Sequence, residues 1–148
     1  MRTRTALTTA LVGVLAVGSL APAVAAPKKK PKTITVTYKA TALPDPTSTS
    51  QVPGSNVQCK PTSPAGKDRR EFKAPAAGTL VVKTVKNTGD WSLGLVVGGT
   101  QVSTSDGPDV DSQEIVAHTF KKAGAVFIDA CNFAGEPMIT VTYTFTYK

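Results

Sequence analysis

Strict period-two alternation constrains this chain more than any other feature. Trp91, Leu93, Leu95 and Val97 fall on every second residue, with Ser92 and Gly94 between them. Side chains of an extended strand point to opposite faces in turn, so this spacing predicts a strand with one apolar face in a core and the other nearer water. The preceding segment, Ala74–Val85, is rich in β-branched residues. Asn87-Thr-Gly-Asp90 between the two has the small residues of a tight turn, so the pair reads as neighbouring antiparallel strands.

Alternation recurs at both ends. Ile34, Val36 and Tyr38 alternate with threonines, and so do Ile139, Val141, Tyr143, Phe145 and Tyr147. Residues of these types suit a pleated, half-buried surface. Their matching threonine faces place the two strands in one sheet, with threonines opposed. Arg69–Lys73 reads as a short strand feeding the turn at Ala77-Gly78. Gly98-Gly99 closes a hairpin onto Thr100–Thr104. Gln113–Phe120 and Ala125–Cys131 flank a turn at Lys121–Gly124, and Asn132–Pro137 leads into the final strand. No amphipathic helical window of useful length occurs. Seven to nine short strands with regular turn signals make an all-β antiparallel sandwich. Residues 41–67 break the rhythm: Pro44, Pro46, Pro53, Pro61 and Pro64 rule out long strands there. A connection this long is functional or poorly ordered as a rule, and a short edge strand around Asn56–Cys59 fits within it.

The N-terminus has its own grammar. Met1-Arg-Thr-Arg4 is basic, Ala10–Leu20 is apolar, and Ala21–Ala26 ends in small residues. That is the layout of a secretory leader spanning 1–26, cleaved after Ala25 or Ala26. The apolar run falls short of the roughly 20 residues that cross a bilayer. The remaining chain is expected outside the cell. The net charge of +7 divides unevenly. Arg2 and Arg4 belong to the leader, and Lys28, Lys29, Lys30 and Lys32 to a short tail over residues 27–32. From Thr33 onward 11 basic residues (17 less those six) face 10 acidic ones, a net of +1. A nucleic-acid interface needs a basic face with interleaved aromatics, which this body lacks. The lysine tail is either solvated and disordered or an electrostatic attachment to an anionic envelope or polymer. A single domain over 33–148, monomeric, accounts for the length.

Cys59 and Cys131 are the only cysteines. An even count in an exported chain argues for a structural disulfide, and a lone histidine, His118, matches no zinc spacing. His118 shares a strand face with Val116 and Phe120, and no serine elbow or facing carboxylate pair accompanies it. No catalytic residue is assigned. The candidate site is calcium: Asp106, Asp109 and Asp111 in a Gly/Pro loop, Glu114 just beyond, and Asp90 at the start of the tryptophan strand. Calcium takes six to eight oxygens from flexible carboxylates and carbonyls. The alternative is a solvated acidic turn chosen for its backbone geometry. Trp91, Tyr38, Tyr143 and Tyr147 sit on apolar faces and read as core or rim.

Phe72-x-Ala-Pro-Ala-Ala-Gly-Thr-Leu-x-Val, Gly89-Asp-Trp-Ser-Leu, Gln113-Glu-Ile-Val, Ala123–Gly135 and Ile139-x-Val-x-Tyr follow one another in a known order. That order resembles the bacterial pre-peptidase C-terminal domain, a jelly-roll-like β-sandwich appended to secreted peptidases. The likeness covers about Arg69–Tyr147. Ser92 replaces the family's second aspartate, Phe127 and Ile128 stand near its tyrosine, and no peptidase precedes the domain in this sequence. The resemblance implies a free-standing accessory or binding module, in some members calcium-dependent, with an extracellular protein or polysaccharide as partner. The other expectation is a small secreted hydrolase or protease inhibitor that presents the disulfide-pinned 41–67 loop.

Overall fold

A computed structural model describes residues 30–45, 59, 63–85, 89–106 and 112–148. Among them, eight strands form two four-stranded antiparallel sheets, in the orders β1-β8-β3-β6 and β2-β7-β4-β5. The strands are β1 (Lys32–Thr41), β2 (Lys67–Ala74), β3 (Gly78–Thr84), β4 (Gly89–Val97), β5 (Thr100–Ser105), β6 (Ile115–Phe120), β7 (Gly124–Gly135) and β8 (Met138–Tyr147). A 3₁₀ turn, Pro64–Gly66, precedes β2. The pairs β1·β8, β2·β7, β3·β6 and β4·β5 are successive rungs of one long folded strip, and β8·β3 and β7·β4 close the sheets. This is the jelly-roll arrangement, in which winding the strip sends alternate rungs to opposite sheets.

Winding overturns one expectation. β3 and β4 are not neighbours: β3 lies between β8 and β6, whereas β4 lies between β7 and β5. Alternation dictates which face of a strand is buried and says nothing about which strand lies beside it. β6 and β7 likewise flank the Lys121–Ala123 bend yet join opposite sheets. β7 also runs through Asn132 and Phe133 to Gly135, where the sequence suggested a connector. The β1–β8 pairing is as expected. Thr35 opposes Thr144 and Thr37 opposes Thr142, with hydroxyls 3.4 and 2.9 Å apart.

The core fills the space between the sheets. Leu80, Val82, Val116, Val141 and Phe145 meet Phe72, Trp91, Leu93, Leu95, Val126 and Ile128. Phe72 is its aromatic hub, with Phe145 at 5.2 Å, Tyr143 at 5.3 Å and Phe120 at 6.1 Å between ring centroids. Such tilted and edge-on contacts add to the burial of ring area. Gly78 is fixed by close approach: a Cβ there would lie 2.5 Å from the Thr146 carbonyl oxygen and 2.6 Å from the Phe145 ring.

The second face of β4 corrects another expectation. Ser92 and Gly94 are buried, not turned to water. The Cys59–Cys131 disulfide joins residues 72 apart and lays Cys59 on this outer face, where Cys59, Cys131 and Phe133 form a small second cluster. A Cβ on Gly94 would touch Cys59 at 3.4 Å. Small residues lie here because a second layer covers them.

Candidate functional site

The outer face of the β2-β7-β4-β5 sheet is built in rows by its register. Lys67 stands opposite Cys131 and Cys131 opposite Ser92. Arg69, Asp129, Gly94 and Thr104 form the next row, and Glu71, Phe127, Val96 and Gln101 the third. Asp129 occupies the middle strand and is 1% exposed. A carboxylate this deep must be paired. Arg69 supplies the pair in fork geometry, with Nε and a terminal nitrogen each donating to a separate carboxylate oxygen at 2.7 Å. The hydrogen bond to Asp129 raises the already high Arg69 pKa. Lys67 adds a second cation at 3.8 Å, and the Arg69 guanidinium lies 5.1 Å from the Phe127 ring centroid.

Two cations around one carboxylate leave a net positive charge in a depression of about 440 Å³, lined by Cys59, Lys67, Arg69, Gly99, Gln101 and Asp129, with Val96 and Thr100 completing the wall. Gly94 keeps its floor low: a Cβ there would lie 3.6 Å from the Gln101 side-chain nitrogen. The β4–β5 register shift at Leu95/Val96 brings Gln101 opposite Val96 and so onto this face. The site thus offers fixed positive charge, an amide and a hydroxyl on rigid strands, a set suited to holding a polar or anionic group.

The long connection is anchored beside this face at both stems. Leu43 N–H donates to the Ala65 carbonyl at 2.8 Å, and Asp45 N–H to the Asn132 carbonyl at 3.0 Å. The Asp45 carboxylate accepts from Ser63 N–H at 2.9 Å. The buried Asn132 amide donates to the carbonyls of Ala42 and Glu136. The rest of the expected flap, residues 46–58 and 60–62, and its suggested edge strand lie outside the described residues, Cys59 excepted.

The acidic candidates divide. Asp90, Asp106 and Glu114 interact at one end of the sandwich, where β4 begins, β5 ends and β6 is about to begin. Asp109 and Asp111 lie outside the described residues. Burial, then the charges of Asp90 and Glu114, push the Asp106 carboxyl up to about 6. Burial, then Glu114, raises Asp90. Glu114 is itself buried and accepts hydrogen bonds from the Ser105 and Ser112 hydroxyls, while Thr84 ties its backbone at 2.9 Å in both directions. Among the described residues no group of three or more His, Cys, Asp or Glu is arranged to hold a metal ion. Any calcium at this end would draw on residues 107–111 as well.

Of the remaining candidates, His118 packs edge-on against Phe120 at 4.7 Å. Trp91 lies in the core. Lys30 and Lys32 are exposed at the start of β1, and Lys28, Lys29 and the expected leader over 1–26 lie outside the described residues. Lys67, Arg69, Gln101 and Asp129 were not singled out from the sequence. One signal for them exists: Asp129 interrupts the apolar run Val126-Phe-Ile-Asp-Ala-Cys, and a charge in a buried strand demands a partner. Among the described residues no helix is long and apolar enough to cross a membrane. No protein-family model matches the chain, and no curated protein matches it.

Proposed function

We propose that this chain is a secreted, non-catalytic binding module of pre-peptidase C-terminal type, which uses the Lys67–Arg69–Gln101 depression to hold an acidic extracellular polysaccharide. The carrying observation is the depression itself: net positive, polar-walled and rigid, with Asp129 consumed in positioning Arg69. Its groups orient and neutralise a carboxylate-bearing ligand and offer no nucleophile paired with a base. The leader-like N-terminus and the disulfide support an oxidising, extracellular setting.

Titration calorimetry with a uronic-acid oligosaccharide tests this reading. Binding should weaken as salt is added, because exposed charges are screened. Lys67→Gln, which leaves Asp129 paired with Arg69, and Gln101→Ala should each lower affinity at least tenfold without lowering the melting temperature. Equal affinity in both variants, or no heat at millimolar ligand, would retire the proposal.

Calcium is the second reading, favoured by the convergence of Asp90, Asp106 and Glu114 at one end. A dication there would offset the burial, and the neighbouring carboxylate charges, that raise Asp90 and Asp106. Melting in EDTA and in millimolar calcium decides it. Ligand at 100 times its Kd adds about 2.7 kcal/mol, a rise of several degrees. That rise should vanish in Asp106→Asn. Identical melting in the two buffers would reduce this end to an acidic turn.

A further inference from the structure

The four sheet edges are not equally protected. β2 is crowded with charge from Lys67 to Lys73, β5 is broken by its register shift, and β6 is short and runs into Lys121 and Lys122. Charge, bulges and brevity are the ordinary defences of an edge. β1 is ten residues long, and its stretch Thr33-Ile-Thr-Val-Thr37 has no charge, proline, glycine or bulge.

Half of the β1 edge is capped. Thr41 N–H donates to the Asp68 carboxylate at 3.1 Å, and the Lys39 carbonyl accepts from Arg70 at 3.3 Å. Both groups therefore point away from β8. The N–H and C=O of one residue share a side in an antiparallel ladder, and the side alternates along the strand. Thr33, Thr35 and Thr37 must then also direct their backbone polar groups outward, and among the described residues nothing bonds to them.

We propose that this edge pairs with β1 of a second copy of the chain, antiparallel about a two-fold axis at Thr35, joining two β1-β8-β3-β6 sheets into one. The strand is almost its own reverse: Thr33 meets Thr37 of the second copy, Thr35 meets Thr35, and Ile34 meets Val36. The outward-pointing residues are the ones this register makes into hydrogen-bonded pairs. On the outer face it extends the threonine ladder that β1 already forms with β8. On the other face it covers Val36, which is 37% exposed in the single chain. Lys32 falls opposite Tyr38, so no like charges oppose each other within the central strand. An isologous contact of this kind closes on itself and stops at two copies.

Sedimentation equilibrium of the oxidised, exported protein up to about 1 mM, where even a dimer with a millimolar Kd is half formed, tests this. Mass should rise toward twice that of one chain. Thr35→Pro deletes one outward N–H and leaves the β1–β8 hydrogen bonds intact, since proline is tolerated on the solvent side of an edge strand. It should stay single at the highest concentration with an unchanged circular dichroism spectrum. Val36→Lys serves as the second variant should the proline disturb folding, and it too should stay single. Thr35→Cys should cross-link two chains on mild oxidation, because the register brings those Cα atoms to about 5.5 Å. A wild type of single mass at 1 mM, a dimer surviving in both Thr35→Pro and Val36→Lys, or no cross-link would each overturn the proposal.

Discussion

Asp129 shows how one residue sets the terms for its neighbours. Its carboxylate is sealed within a sheet, and Arg69 approaches it from the exposed edge strand β2. Removing the arginine leaves a buried charge with only Lys67, 3.8 Å away. Arg69→Ala should therefore lower stability by about 2–3 kcal/mol in urea unfolding. Asp129→Asn should remove much of that penalty in a double-mutant cycle, whereas additive losses would show that the pair is not coupled. Asp106 works in the opposite sense. Its folded pKa, about 6, lies above the ordinary 3.8, so the native state binds the proton more tightly. Its contribution is present below pH 4 and is lost as pH rises through 6. With calcium chelated, replacing Asp106 with Asn should flatten the slope of stability against pH in that window, and an unchanged slope would place the titration elsewhere. Gly78 allows no side chain: Gly78→Ala must push against the Thr146 carbonyl and should cost about 1–3 kcal/mol in the same assay.

Among the elements, the disulfide is both staple and cover. The chain-entropy model assigns a bridge across 72 residues roughly 4 kcal/mol. The double variant Cys59→Ala, Cys131→Ala should lose that amount and also uncover Ser92, Gly94 and Phe133, seen as faster amide exchange in β4. A loss of entropy alone would leave β4 protection unchanged relative to the rest of the sandwich. Individual strands were legible in the sequence because alternation is a local signal, and the placing of the first and last strands in one sheet, threonine facing threonine, followed from their two matching threonine faces. The split between β3 and β4 was not legible, since winding depends on pairings tens of residues distant. Nor was the burial of Ser92 and Gly94, which depends on where Cys59 lands. The acidic end was visible as a cluster of Asp and Glu. The depression was not, because Lys67 and Arg69, Gln101 and Asp129 come from three separate strands and meet only through cross-strand register.

The whole molecule is dominated by distant partners, from Lys32 against Tyr147 inward. Closing such large loops before contacts reward them makes β-sandwiches slow to fold. Refolding of the double-alanine variant should fall in the millisecond-to-second range and be slower than that of the oxidised chain, whose 72-residue loop is already closed. Equal rates would mean that the bridge forms no part of the folding transition state.

β8 lies between β1 and β3, and it is the last of the eight described strands in chain order. A ribosome delivers the chain from its N-terminus, so β1 must wait, without a partner in its own sheet, until Met138–Tyr147 emerge. Until then its sheet is split, with β1 on one side of the gap and the β3–β6 pair on the other. The order of synthesis thus acts as a timer that keeps this sheet open until β8 arrives.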